Sequence, residues 1–291
     1  MTERTPGGIG GFLIVTFGWA WAWWAASILL LREDPASPLA VVTTFLGTCA
    51  PAVAAWTTWY RAAGARDAWR RLGRCVAPSG PWAAWVAPSL AILAAAGVAS
   101  WTQRMWGDPV PASPSPWLVV PQLLVMLVAG GGQEEIGWRG WLQPAVRART
   151  GRWIAPLLVG AVWFCWHLPL WWTPGSIQTH VPLAAFAMVL IGLSLLMARA
   201  MEATRGRPAV AIWLHAVNNL AAGWLAFVAL AADATQVGSW MAGAGYLAVG
   251  VAAMLIRPPA GGHQRGAQRT AGRTDEKGPA VWRGPSAPWW S

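Results

Sequence analysis

Apolar runs close to twenty residues long recur along most of the chain, with short polar segments between them. A run of this length is sufficient for a helix to cross the hydrocarbon core of a bilayer. Eight runs fit, at residues 9–31, 38–60, 82–101, 117–142, 153–172, 182–198, 208–231 and 239–256. The pattern predicts an all-α protein, a polytopic membrane helix bundle of about eight transmembrane helices.

Composition agrees with a membrane bundle and adds a tail. Of the 291 residues 56% are hydrophobic and 11% are charged, and the mean hydropathy is +0.41. Soluble domains carry about 25% charged residues, so a soluble globular class does not fit. Residues 257–291 are rich in Pro, Gly and Arg and lack an apolar period, which predicts a disordered basic cytoplasmic tail after a bundle formed by residues 1–256.

The basic residues are distributed very unevenly between the two sides of the predicted bundle. If the N-terminus lies in the cytoplasm, all but two of the 21 Lys and Arg residues fall on the cytoplasmic side of the membrane. The two exceptions are Arg32 and Arg104. The positive-inside rule therefore predicts both termini in the cytoplasm. The net charge of +10 then indicates contact with anionic lipid head groups and no nucleic-acid partner. The strong preference for Arg over Lys, together with abundant Ala, hints at a bacterial protein of the cytoplasmic (inner) membrane.

Strongly polar side chains inside the predicted spans are confined to three helices. Ionised groups in a bilayer are costly, so each is a functional hypothesis. Glu135 and Arg139 are four residues apart with the acid first, which predicts an ion pair within one helix. Glu134 is rotated about 100° from Glu135 and has no such partner on its own face. Glu135 is therefore the candidate structural acid and Glu134 the candidate functional one.

Two further spans carry the remaining polar groups. His215 and Asn219 are also four apart on one helix face, and together they can direct two hydrogen-bond donors toward a developing oxyanion. His167 precedes Pro169, where loss of a helical hydrogen bond can redirect the imidazole. Two glutamates and two histidines could alternatively bind zinc, although no His-Glu-x-x-His is present. We predict no metal and no cofactor.

The order of these motifs resembles the CPBP family, the CAAX proteases and bacteriocin-processing or immunity proteins, described as intramembrane glutamic endopeptidases. Glu-Glu-x-x-x-Arg is followed by an aromatic residue four positions before a histidine, and then by His-x-x-x-Asn. The similarity covers about residues 115–225, and Trp163 replaces the usual phenylalanine. The matching positions are Glu134, Glu135, Arg139, Trp163, His167, His215 and Asn219.

The resemblance implies an intramembrane endopeptidase that acts on a membrane-associated peptide or protein. Glu134 with His167 would activate a water, and His215 with Asn219 would stabilise the oxyanion. Glu135, Arg139 and Trp163 would support the site. The alternative is a non-catalytic bacteriocin-immunity or membrane-partner binding protein on the same scaffold, with a zinc metalloprotease as a further possibility.

Overall fold

The computed structural model describes residues 8–31, 34, 37–107, 109–231 and 234–256, and its regular elements there are all helical. The all-α prediction is confirmed, while the predicted tail at 257–291 lies outside the described residues. The α-helices are α1 (Gly8–Leu30), α2 (Pro38–Thr48), α3 (Ala50–Val76), α4 (Ala83–Met105), α5 (Val119–Val128), α6 (Glu134–Gly137), α7 (Gln143–His167), α8 (Leu183–Ala203), α9 (Ala209–Leu225) and α10 (Val237–Leu255). A π-helical turn, Trp138–Leu142, joins α6 to α7, and 3₁₀ turns occupy Pro116–Leu118, Leu168–Trp172 and Ile177–His180.

Several of these helices are long and apolar enough to cross a membrane. In the described residues there are five such stretches, or six when α2 and α3, bent by 45°, count as one span. Large apolar side chains such as Ile14, Leu29 and Leu30 are exposed on the outer faces, as a lipid-facing surface requires. The chain is an integral membrane protein; the number eight and the orientation of the termini stay predictions.

The stretch from α6 to α7 turns back on itself at Gly151. A straight helix would separate Glu134 from Trp163 by about 43 Å, yet the two side chains share a hydrogen bond of 2.9 Å. Gly151 has φ 82° and ψ −171°, a conformation that is essentially restricted to glycine. Because the chain reverses there, the beginning and the end of this stretch lie against one another.

The predicted span 117–142 is wrong as one continuous helix. Helix α5 ends at Val128, and a loop of residues 129–133 precedes α6. The loop contains Gly130, Gly131 and Gly132, and Gly131 has φ +117°. Consecutive glycines weaken a helix because they gain the most backbone freedom when it unwinds. Glu134 is therefore the first residue of a new helical segment.

Two other predicted boundaries also change. The run 208–231 forms a helix only as far as Leu225, because Ala226 is left-handed and ends α9. The run 38–60 divides at Cys49 into α2 and α3. Pro51 lies in the first turn of α3, where its missing N–H is tolerated, but that proline cannot continue the hydrogen bonds of α2.

Small residues allow the central helices to pack backbone against backbone. A Cβ added to Gly192 of α8 would lie 2.3 Å from backbone atoms of Tyr246 on α10. Gly250 of α10 is equally close to the backbone of Gly192. Close approach through small residues is the usual means of helix association in a bilayer, since apolar burial gives little net gain against lipid.

We expect Gly192→Ala to destabilise the bundle by about 1–3 kcal/mol, because the added methyl has no room and the helices must separate. The measurement is the unfolding midpoint of the purified protein in detergent. Gly97→Ala on α4 is the matched control, since a Cβ at Gly97 meets nothing within 4 Å. An equal loss of stability in both variants would contradict the close packing of Gly192 against α10.

Candidate functional site

The Glu135 carboxylate lies between two partners and is completely buried. Arg139 Nη1 lies 2.9 Å from Oε2, and His215 Nδ1 lies 2.7 Å from Oε1. Arg139 is also completely buried. The ion pair between Glu135 and Arg139 is the one that their spacing of four residues predicts. The contact with His215 comes from α9, eighty residues away, and helical spacing could not find it.

Glu134 has a different partner, which lies on α7 after the chain reversal at Gly151. Its Oε2 accepts a hydrogen bond of 2.9 Å from the Trp163 indole. The carboxyl group is buried, with 4% of the residue exposed. The two neighbouring acids therefore have separate surroundings: Glu135 faces two cationic or ionisable side chains, and Glu134 faces a neutral donor.

Trp163 lies at the centre of the cluster and contacts most of its members. The Arg139 guanidinium carbon is 4.7 Å from the centre of the indole ring, a cation–π distance. The His215 ring meets the indole edge-on, with ring centres 5.1 Å apart. Trp163 was predicted only as a supporting residue. Its N–H to Glu134 is a contact that phenylalanine, usual in the resembling motif, could not make.

His167 is oriented by the last turn of α7. Its Nδ1 is 2.8 Å from the carbonyl oxygen of Trp163. A carbonyl can only accept, so Nδ1 carries the proton in this contact and the neutral ring presents Nε2 as an acceptor. Trp166 and Phe186 contact the imidazole edge-on, with ring centres 4.8 and 5.3 Å away. The α-helix ends at His167 and continues as the 3₁₀ turn that contains Pro169.

Asn219 contacts the glycine loop that precedes α6. Its Nδ2 donates to the carbonyl oxygen of Gly130 at 2.5 Å, and its Oδ1 accepts from Asn218 at 2.8 Å. An amide nitrogen has two hydrogens, so one donor of Asn219 remains beyond this bond. Asn219 therefore also positions the loop, a role that the motif did not predict.

Gly131 allows this loop to approach the histidine. A Cβ at Gly131 would lie 2.3 Å from His215 Nε2 and 2.8 Å from Asn219 Nδ2. The loop is further held by Gln133, whose Oε1 accepts from the Gly131 amide at 3.0 Å. The run of three glycines next to two acids was the only sequence signal for this contact.

Six of the seven predicted residues form one continuous set of contacts across α6, the π turn, α7 and α9. Asn219 lies next to this set, since a Cβ added to Gly131 would meet both Asn219 and His215. Within the described ranges, no group of three or more His, Cys, Asp or Glu side chains has an arrangement that could hold a metal ion. An apolar groove of about 300 Å³ between α5 and α9 reaches the cluster at Asn219. The groove is lined mainly by Pro121, Val125, Met126, Leu220 and Trp224.

Comparison with known proteins finds a family that this region is similar to. Residues 116–221, a little over a third of the chain, match the family described as "Type II CAAX prenyl endopeptidase Rce1-like". The chain is also similar to CAAX prenyl protease 2 of Methanococcus maripaludis, with 36% identity over 62 residues. That alignment covers 21% of this chain and 22% of the relative, so the chain matches about a fifth of the relative's length. The resemblance that the motifs carry is confirmed: residues 116–221 of this chain are similar to the CAAX protease (CPBP) family.

Proposed function

We propose that the protein is an intramembrane endopeptidase in which Glu134 and His167 activate a water that attacks a peptide carbonyl. The observation that carries the proposal is the buried carboxylate of Glu134, which is bonded to a neutral indole and not to the nearby arginine. A carboxylate paired with arginine is a poor base, because the cation stabilises the charge that the base must lose. Glu134 is free of that constraint.

Water activation requires two acceptors around one water molecule. The Glu134 carboxylate is one, and His167 Nε2 is the other, since Nδ1 is directed at the Trp163 carbonyl. As the oxygen–carbon bond forms, a proton of the water passes to this pair. The same proton then moves to the amide nitrogen, so that the carbon–nitrogen bond breaks to give a carboxylate and an amine.

The negative oxygen of the tetrahedral intermediate needs donors close by. His215 can supply Nε2–H as an imidazolium, with Nδ1–H donated to Glu135 at 2.7 Å. Asn219 can supply its second amide hydrogen. Both groups border Gly131, as the distances for an added Cβ indicate. Donors fixed in position before the reaction are the most effective means of stabilising an oxyanion.

The substrate we propose is a membrane-associated peptide or protein with an apolar segment. The groove between α5 and α9 is lined by apolar side chains and ends at Asn219, so an apolar segment could enter it from the lipid. No side chain on α5 is buried in the bundle, which leaves that wall in contact with the bilayer. A bacterial cytoplasmic membrane is the location we infer from composition.

A non-catalytic binding protein on the same scaffold is the competing function. It has no evident need for a buried acid without a cationic partner, and the contacts of Glu134 favour the enzyme for this reason. A zinc enzyme is less favoured because His215 Nδ1 and Glu135 are hydrogen-bonded to each other, which leaves fewer side chains free to bind a metal.

Glu134→Gln should reduce peptide cleavage by about 100-fold or more, the range that a general base contributes. The assay uses purified protein in detergent with quenched fluorescent peptides that carry an apolar or prenylated C-terminal segment. Glu202→Gln is the matched control, since Glu202 pairs with Arg147 and Arg152 outside the cluster.

Rates are compared at equal amounts of folded protein, with and without a chelator. Undiminished cleavage by Glu134→Gln would overturn the glutamate mechanism. Activity that is lost to the chelator and restored by zinc would support the metalloprotease instead. A host phenotype that survives Glu134→Gln would favour the binding protein.

Gly131→Ala should also lower the cleavage rate by about 100-fold, comparable to losing one oxyanion donor, because the methyl would displace His215 and Asn219. An alanine at positive φ is strained even where its methyl has room. Gly107→Ala is therefore the control that separates this backbone strain from the contact of the methyl with His215 and Asn219. Gly107 has φ +88° but nothing within 4 Å of an added Cβ. If both variants lose activity equally, the contact with His215 is not the cause.

A further inference from the structure

A second cavity, which shares Arg139 with the cluster described above, is lined by arginines. It has a volume of about 200 Å³ and lies between the C-terminal part of α3, the π turn and the loop from α8 to α9. Its basic lining residues are Arg71, Arg74, Arg139, Arg205 and Arg207, and none of its lining residues is acidic. This cavity plays no part in the reaction proposed above.

The positive charge of the cavity is only partly balanced by ion pairs. Arg71 pairs with Asp67, and Arg139 pairs with Glu135. In the described part of the chain, Arg74, Arg205 and Arg207 have no ion pair. Arg207 donates from Nη1 to the backbone carbonyl oxygen of Arg74 at 3.3 Å, so the loop from α8 to α9 is held against the end of α3, and arginines of both segments line the same cavity.

Arg139 contributes an independent observation that points to a ligand. Its side chain is completely buried, and only Nη1 is bonded, to Glu135. Nε and Nη2 are buried with no hydrogen-bond partner among the described residues, although Arg139 lines the cavity. Buried donors of a charged group are rarely left unsatisfied, because losing their hydration is costly.

The N-terminus of α9 adds to the positive potential. Gly206, Arg207 and Pro208 line the cavity directly before α9, which begins at Ala209 and runs for 17 residues. The first turn of a helix has free N–H groups and the positive end of the helix dipole, a combination that favours anions. The arginines and this helix end therefore face the same space.

We propose that this cavity binds a phosphate group, which satisfies Arg139 at its inner end and neutralises Arg74, Arg205 and Arg207 at its mouth. Arginine is well suited to phosphate, since its planar donors match two oxygens at once. A cavity of about 200 Å³ is large enough for one phosphate and its nearest substituents.

The head group of an anionic phospholipid is the source we favour. The four arginines other than Arg139 lie at helix ends and in a connecting loop, and basic-residue counting predicts that these segments face the cytoplasmic leaflet. Bound phosphate would hold the guanidinium that also holds Glu135. The lipid would thereby stabilise the architecture of the proposed active site, while binding itself does not depend on the proposed activity.

The test is the unfolding midpoint of the full-length protein, delipidated in neutral detergent and titrated separately with three compounds. These are short-chain phosphatidylglycerol, inorganic phosphate and short-chain phosphatidylcholine. A ligand that binds only the folded state raises the midpoint in a saturable manner. We expect saturable stabilisation by phosphatidylglycerol, with an apparent Kd at least tenfold weaker in the double variant Arg74→Gln/Arg207→Gln.

Arg61→Gln/Arg149→Gln is the matched control, since both arginines are exposed and outside the cavity, and it should bind like the wild type. Arg205→Gln alone, at an exposed position, serves if the double variant does not fold. Stabilisation by phosphate alone, weakened in the same variant, would support the anion site with a soluble ligand. Equal stabilisation of wild type and cavity variant would overturn the proposal. Equal stabilisation by phosphatidylcholine, which carries the same phosphodiester without a net charge, would overturn the assignment to an anionic head group.

Discussion

One buried carboxylate, that of Glu135, holds the two halves of the cluster together. It bonds Arg139 within its own helical segment and His215 on α9, so it fixes the separation between the α6–α7 hairpin and α9. Breaking a buried ion pair by removing one partner costs far more than the net value of the pair, since the other charge is left uncompensated. Because Arg139 is fully buried, we expect the fold to depend on Glu135, whereas Glu134 has no ion pair in the described residues and is available for the proposed chemistry.

The reversal at Gly151 completes the cluster. It brings the end of α7 back to the start of α6, so that Trp163 can donate to Glu134 while its ring contacts Arg139 and His215. The indole thus contacts both the guanidinium of Arg139 and the carboxylate of Glu134. A single aromatic side chain allows two adjacent glutamates to have different electrostatic surroundings.

Much of the fold could be predicted from the sequence because the bilayer imposes a length and a polarity on each helix. The all-α class and most of the long helices, such as α1, α4, α8 and α10, follow from the apolar runs. The break before Glu134 could not be predicted from hydropathy, since three glycines are as apolar as a helix interior. Backbone freedom, and not transfer free energy, decides the conformation there.

The sequence predicts which residues form the site more completely than it predicts the contacts between them. Rarity of polar groups in the spans was enough to select Glu134, His167 and His215, and i,i+4 spacing was enough to pair Glu135 with Arg139. The contact between Glu135 and His215 spans eighty residues, and a single sequence contains no periodicity over that distance. Contacts of the loop glycines with His215 and Asn219 also depend on how helices meet, which local patterns do not record.

We propose that Glu135 serves the fold and that Glu134 does not. The most direct measurement compares the free energy of unfolding of Glu135→Gln and Glu134→Gln in the same detergent. Removing the charge of Glu135 should cost about 3–5 kcal/mol, because Arg139 is left buried and uncompensated. Glu134→Gln should be at least as stable as the wild type, since it removes a buried charge that has no cationic partner. Equal losses in the two variants, or a larger loss for Glu134→Gln, would contradict the division of roles.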